Sequence, residues 1–289
     1  RGSHAKAYPN GAFHAQGHEV CILTWSEDPD NKQYPYAVTR KPGLIALIRA
    51  HRWADVVFEN NPCLRLSWPN VLFHRPLVIA INSWICRTNG SPAIQDRLKI
   101  QWLSKAKKVI AVSNAVREAC WHDAVVIGNP FRACTFKRIC VEEEIRDFVF
   151  LGRLVSQKGA DLAIRAFALL SKGLKSSFPA PTFTIIGDGP ERAELELLVS
   201  KLHLESQIHF TGCLCGDALA QMLNRHRFLL VPSLSGEAFG NVVLEGMACG
   251  NVPIVSDSGG LPEAVGNAGM IFKCGDIRAL ESCMLRLLT

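Results

Sequence analysis

Two carboxylates and two cations stand where a charged, hydroxyl-rich ligand could be held. Glu237 and Glu245 lie in Ser235-Gly236-Glu237-Ala238-Phe239-Gly240-Asn241-Val242-Val243-Leu244-Glu245, with seven residues between them. Arg153 and Lys158 lie in Leu151-Gly152-Arg153-Leu154-Val155-Ser156-Gln157-Lys158-Gly159. Two fixed cations can neutralise a leaving diphosphate. Carboxylates accept hydrogen bonds from hydroxyl groups. A diphosphate flanked by two carboxylates that read polyhydroxyl groups describes a nucleotide-sugar. The plainer account is solvent: two Glu on an ordinary crossover, and two loop cations hydrated like most surface Arg and Lys.

These residues need elements to position them. The apolar runs at 228–232 and 252–255 read as buried parallel strands, with a loop and a helix between them. Gly240 and Asn241 suit the start of that helix, and Gly250 suits its end. A helix N-terminus after a parallel strand favours phosphate, through free N–H groups and the macrodipole. Phe239, Gly240 and Asn241 are therefore candidate donor-binding residues. Glu245 falls about one turn into the helix, and Glu237 on the loop before it. Arg153 and Lys158 follow a strand at 148–151 and precede a helix at 161–172. Gly187-Asp188-Gly189-Pro190-Glu191 follows a strand at 183–186, with Pro190 suited to a helix N1 position. Gly187 either borders a nucleotide pocket or belongs to a structural turn. Ser256-Asp257-Ser258-Gly259-Gly260 allows close approach of a ligand at Gly259 and Gly260, or is a plain turn.

The first half follows the same grammar. Strands are expected at 19–24, 54–58, 77–81, 109–113 and 124–127, with helical patterns at 91–108 and 114–121. Asn82 ends the 77–81 strand, and Asn60-Asn61-Pro62 is either a sugar-binding amide pair or a turn. In the second half a strand is expected at 208–210, with helices at 191–202 and 217–224. Strands alternating with helices predict an α/β protein with parallel sheets. Two Rossmann-like domains facing a central cleft follow, with ligands at the carboxyl ends of the strands. Pro130 and Glu142-Glu143-Glu144 interrupt the pattern, which divides the chain into residues 1–142 and 143–289.

The string from Pro232 to Glu263 resembles the Glu-x7-Glu signature of retaining glycosyltransferases of the GT-B fold, above all family 4. Arg153 and Lys158, after Phe150-Leu151-Gly152, resemble the diphosphate-binding pair of that family. The resemblance covers nearly all of residues 13–289, although both ends look short of the usual span. It implies that Glu245 binds ribose hydroxyls and Glu237 the hydroxyls of the donor sugar. Arg153 and Lys158 would stabilise the departing diphosphate with the helix start at Phe239 to Asn241, so no metal and no cofactor beyond the donor are expected. Asn82, on the acceptor or sugar side, stands where many members carry His. Asn cannot shuttle a proton at neutral pH, but a front-face reaction can use the leaving phosphate oxygen instead. The implied activity is transfer of a hexosyl group to a glycan or lipid-linked acceptor, in cell-envelope polysaccharide or lipopolysaccharide synthesis. A catalytically weak sugar- or nucleotide-binding relative, or a GT-B phosphorylase or epimerase, shares the sheet pattern.

Composition agrees with a globular α/β enzyme: 289 residues, 48% hydrophobic and 20% charged. Residues 1–4, Arg1-Gly2-Ser3-His4, look like a tag remnant. No apolar run reaches the roughly 18 residues of a spanning helix. The 11 cysteines include no set with zinc spacing, and suit free thiols in a reducing cytoplasm. Charge divides unevenly. Residues 1–142 carry 19 Lys and Arg against 10 Asp and Glu, a balance of +9, while residues 143–289 carry 13 against 16, a balance of −3. The basic half should meet something anionic. No nucleic-acid module appears, which leaves a charged acceptor or an anionic membrane surface. Residues 97–108, with Trp102 and Lys105, Lys107 and Lys108, read as a basic amphipathic helix for peripheral contact at the inner face of the cell membrane, or as an ordinary solvated helix.

Overall fold

The computed structural model describes residues 9–28, 33–85, 94–140, 145–174 and 179–288. Residues 1–4, the run Glu142-Glu143-Glu144 and the first residues of the 91–108 segment lie outside them. The chain forms two compact units, one of Ala5–Gly128 and one containing Asn129–Thr289. The interruption at Pro130 and Glu142-Glu143-Glu144 sets the expected division at 142/143, whereas the compact units part at 128/129 for a packing reason. Phe136 is fully buried in the core of the second unit. The Asn224 side chain accepts from Ile139 N–H at 2.8 Å and donates to Lys137 O at 3.0 Å. Residues 129–140 thus belong to the second unit.

In the first unit the elements are α1 (Pro9–Ala15), β1 (Cys21–Thr24), β2 (Ala37–Arg40), α2 (Leu44–Trp53), β3 (Val57–Asn60), α3 (Leu64–Ser67), α4 (Asn70–Phe73), β4 (Leu77–Ile81), α5 (Ile94–Leu103), β5 (Lys108–Ala111), α6 (Asn114–Cys120) and β6 (Val125–Val126). β1 and β2 form a two-stranded parallel sheet, and β3-β4-β5-β6 a four-stranded parallel one. The Ser113 hydroxyl caps α6 by accepting Val116 N–H at 3.1 Å.

The helix expected through residue 108 stops at Leu103. Lys107 N–H bonds to Leu77 O at 2.8 Å, and Lys108 opens β5 opposite Val78. Strand pairing with β4 therefore overrides the helical spacing of the cations. Trp102 is buried and donates to Glu59 Oε1 at 2.8 Å, while Glu59 Oε2 accepts Cys63 N–H at 2.8 Å. The indole of the supposed membrane-facing helix is thus a core group. Among the described residues no helix is long and apolar enough to cross a membrane, and every cysteine is a free thiol.

The second unit contains β7 (Arg146–Leu151), α7 (Ala160–Gly173), β8 (Phe183–Ile186), α8 (Arg192–Lys201), β9 (Ile208–Gly212), α9 (Gly216–Asn224), β10 (His226–Val231), α10 (Asn241–Ala248), β11 (Val252–Ser256), α11 (Leu261–Val265), β12 (Met270–Phe272) and α12 (Ile277–Leu288). Its sheet has six parallel strands in the order β12-β11-β10-β7-β8-β9. Counted from β7 as the first strand, this is the 3-2-1-4-5-6 order of the Rossmann fold. Alternation along the strands supplies two cores. Phe148, Phe150, Phe183, Ile185, Phe228, Leu230 and Ile254 pack with α7 and α12 on one face. Val149, Leu229, Val231 and Val255 pack with α9, α10 and α11 on the other. Both faces are covered, so the central stretches of β7, β8, β10 and β11 carry apolar residues on both faces.

Buried polar groups are also built into this sheet, a histidine among them. His226 is buried, with Nδ1 2.7 Å from Met222 O and Nε2 2.8 Å from Thr184 Oγ1. A carbonyl only accepts, so Nδ1 carries the proton and the Thr184 hydroxyl donates to Nε2. Burial pushes the imidazole pKa down from 6.5 to about 4, against the Met222 carbonyl and with Arg146 and Arg225 adding to the shift. A folded-state pKa below the unfolded value stabilises the fold above the unfolded pKa and is lost on acidification. This contribution should be complete above pH 6.5 and disappear as pH falls towards 4. Melting temperature against pH is therefore expected to fall more steeply over that window in the wild type than in His226→Gln. Parallel profiles would remove His226 from the acid response.

Candidate functional site

β7 and β10 are neighbours in the sheet, yet the helices that follow them lie on opposite faces. Their loops therefore diverge at the carboxyl ends and leave a crevice, the usual ligand position in open α/β sheets. Lys158 arises from the loop after β7 and Glu237 from the loop after β10. The Lys158 ammonium donates to Glu237 Oε1 in an ion pair, with the side chains 35% and 20% exposed. Leu234 N–H bonds to Gln157 O at 2.9 Å and ties the two loops together. Arg153, on the same loop as Lys158, is exposed and has no ion pair among the described residues. The structure thus joins two of the expected site residues across the switch point.

Glu237 is also held from beneath. The Ser233 hydroxyl donates to Glu237 Oε1 at 3.1 Å. Glu237 forms a parallel bridge with Gly259, and Gly260 N–H bonds to Glu237 O at 2.8 Å. The positive φ of Gly259, 61°, suits glycine, and a Cβ there would meet Glu237 O at 2.2 Å. The space over this glycine is filled by the Glu237 loop itself, so close packing of two loops explains its presence without a ligand.

Gly240, with φ 98°, precedes α10, and Asn241 is its first residue. Asn241 Oδ1 accepts from Asn129 Nδ2 at 3.0 Å. Phe239 packs partly buried against the apolar core under α10. Glu245 lies about one helical turn past Asn241 and is half-buried. Burial pushes its carboxyl from 4.5 up to about 7, and the Arg132 guanidinium opposes that rise. A carboxyl so placed can accept hydroxyl hydrogen bonds, and burial makes it easier to protonate than a surface glutamate.

Gly187 is explained by packing. Its φ is 142°, and a Cβ would fall 1.9 Å from Gly152 O, so the loops after β7 and β8 touch through this glycine. Pro190 precedes the helix rather than starting it, because α8 begins at Arg192 after Glu191. Asn82 belongs to the first unit. Its side-chain amide donates to Asn60 Oδ1, its backbone N–H bonds to Asn61 Oδ1 at 2.8 Å, and the Ser83 hydroxyl donates to Asn61 Oδ1 at 3.3 Å. These amides hold the carboxyl ends of β3 and β4 together.

Sequence reasoning passed over Ser233, Asn129 and Arg132. Ser233 carried a signal, as a polar residue next to a buried apolar strand and four positions before Glu237. Asn129 and Arg132 carried none, since they reach α10 only through the packing of residues 129–140.

The profile of the family described as glycosyl transferases group 1 matches residues 135–289. The chain is 32% identical over 187 residues to the phosphatidylinositol N-acetylglucosaminyltransferase gpi3 subunit of Schizosaccharomyces pombe, covering 61% of this chain and 39% of that protein. It thus spans well under half of that relative's length. An uncharacterized glycosyltransferase of Methanocaldococcus jannaschii is 33% identical over 296 residues, covering 93% of this chain and 80% of the relative. HepE of Anabaena, in a structure with UDP, superposes with a TM-score of 0.73 at 20% identity, over 86% of this chain and 75% of that one. The likeness to HepE shows the GT-B class of fold. The profile match over the second unit and the near full-length archaeal relative place this chain in the glycosyl transferases group 1 family.

Proposed function

We propose that the chain transfers a hexosyl group from a nucleotide diphosphate sugar, with retention of anomeric configuration as in family 4, to a glycan or lipid-linked acceptor. The observation that carries this reading is the Lys158–Glu237 contact across the β7–β10 switch point. It brings a cation suited to a diphosphate against a carboxylate suited to sugar hydroxyls. Arg153 on the same loop adds a second cation, and the start of α10 at Phe239, Gly240 and Asn241 adds backbone N–H groups and a favourable dipole.

In this reading a bound diphosphate draws Lys158 from Glu237, and the carboxylate turns to the donor sugar. Glu245, one turn into α10, accepts the ribose hydroxyls. Negative charge develops on the leaving oxygen in the transition state, and cations already in place lower the barrier. Protein cations rather than a metal fill that role. The leaving phosphate oxygen takes the acceptor proton, while Asn82 offers amide hydrogen bonds on the acceptor or sugar side. Residues 5–128, the first unit, carry 15 Lys and Arg against 9 Asp and Glu, a balance of +6 that supports an anionic acceptor or one carried on an anionic surface. That is consistent with cell-envelope polysaccharide synthesis by a cytoplasmic enzyme at the inner face of the membrane. A relative named for phosphatidylinositol as acceptor supports the lipid-linked option.

Arg153→Ala should lose roughly 2–4 kcal/mol of transition-state stabilisation, the usual loss for one preorganised charge donor. Donor turnover, followed in the presence of a chelator, checks both this and the metal-free reading. Wild-type turnover in the variant would take Arg153 out of the site, and abolition by chelation would contradict the role given to the cations. Calorimetric titration divides the carboxylates. Glu245→Gln is expected to weaken binding of the bare nucleoside diphosphate and of its sugar conjugate alike. Glu237→Gln is expected to spare the bare nucleotide and weaken only the conjugate. Equal losses for both ligands in both variants would overturn the division.

A further inference from the structure

The loop after β10 holds a buried polar side chain to which the proposed chemistry gives no task. Ser233 is 1% exposed. Buried hydroxyls are ordinarily hydrogen-bonded, and this one donates to Glu237 Oε1 at 3.1 Å. The backbone of Ser233 is fixed in turn. Its carbonyl accepts the hydroxyl of fully buried Ser256, at the end of β11, at 2.7 Å. The Cys274 thiol, just after β12, reaches the same carbonyl at 3.5 Å. Ser233 therefore transmits the rigidity of the sheet to the Glu237 carboxylate.

Glu237 Oε1 takes two donors, Ser233 and Lys158, while Oε2 has no hydrogen bond among the described residues. The two holders differ in kind. Lys158 is cationic and 35% exposed, so an incoming diphosphate competes for it. Ser233 is neutral and buried, and a diphosphate has no comparable claim on it. We propose that Ser233 is the positioning residue of this carboxylate. It keeps Oε1 in place when Lys158 moves to the diphosphate and leaves Oε2 for the hydroxyls of the donor sugar. The proposal rests on the sugar-binding reading of Glu237 given above.

The test compares wild type, Ser233→Ala, Ser233→Thr and Glu237→Gln. The probe is a nucleoside diphosphate and its glucose conjugate, chosen among UDP, GDP and ADP as the pair that raises the wild-type melting temperature most. Calorimetry reads the affinity of each. Ser233→Ala should bind the bare nucleotide like wild type and lose about tenfold in affinity for the conjugate, the scale of one hydrogen bond to a charged group. Ser233→Thr keeps the hydroxyl and should restore most of that loss. If Ser233→Ala lowers the melting temperature, Ser233→Cys fills the same space with a weaker donor and should show the same selective loss. Conjugate affinity lost in Glu237→Gln but kept in Ser233→Ala and Ser233→Cys overturns the positioning role alone. Full conjugate affinity in Glu237→Gln, or no binding of any pair, overturns the reading of Glu237 and the positioning role with it.

Discussion

Between β7 and β10 the sheet of the second unit reverses the direction in which it grows. That reversal sends α7 to one face and α10 to the other, and the two loops cannot close over the strand ends. Everything in the proposed donor site hangs on this opening. Arg153 and Lys158 come from one side of it, Glu237 and the start of α10 from the other. The loops are then locked by backbone contacts: Leu234 N–H on Gln157 O, Gly260 N–H on Glu237 O, and Gly187 against Gly152. Of these contacts, Leu234 N–H on Gln157 O crosses directly between the loops after β7 and β10, beside the Lys158–Glu237 pair.

Electrostatics in the free protein fit a site made to exchange partners. A solvent-reachable ion pair such as Lys158–Glu237, with side chains 35% and 20% exposed, contributes little net stability, on the order of 0–1 kcal/mol. Breaking it for a diphosphate costs correspondingly little, provided the carboxylate is not left loose. Ser233 meets that condition with a hydrogen bond anchored through Ser256. Glu245 is managed differently. Burial favours its neutral form and Arg132 favours its charged form, so its charge is set by the balance of these two surroundings.

Much of this fold is legible in the sequence, for reasons visible in particular segments. The runs at 77–81 and 183–186 coincide with β4 and β8 because both strands are short, apolar and bounded by polar turns. The start of α10 is marked by Gly240 and Asn241 as expected. β2 went unread because Ala37–Arg40 is four residues long and half-exposed, with nothing to separate it from a loop. α2 and α12 went unread although each carries apolar residues at helical spacing. The 97–108 stretch misled, since its cations and apolar residues recur at helical intervals while the backbone of Lys107 and Lys108 is claimed by β4. The four charged candidates were visible as residue types. The pairing of Lys158 with Glu237 was not, because it depends on the register of β7 against β10, set by Phe148 opposite Phe228.

In the proposed site Lys158 leaves Glu237 for a diphosphate while Ser233 keeps the carboxylate in place. A crystal structure of the protein with a bound nucleoside diphosphate measures this directly. The Lys158 ammonium should then lie on a phosphate oxygen, no longer on Glu237 Oε1, with the Ser233 hydroxyl still donating to Glu237. A diphosphate bound in the crevice with the Lys158–Glu237 pair intact, or bound elsewhere on the second unit, would contradict it.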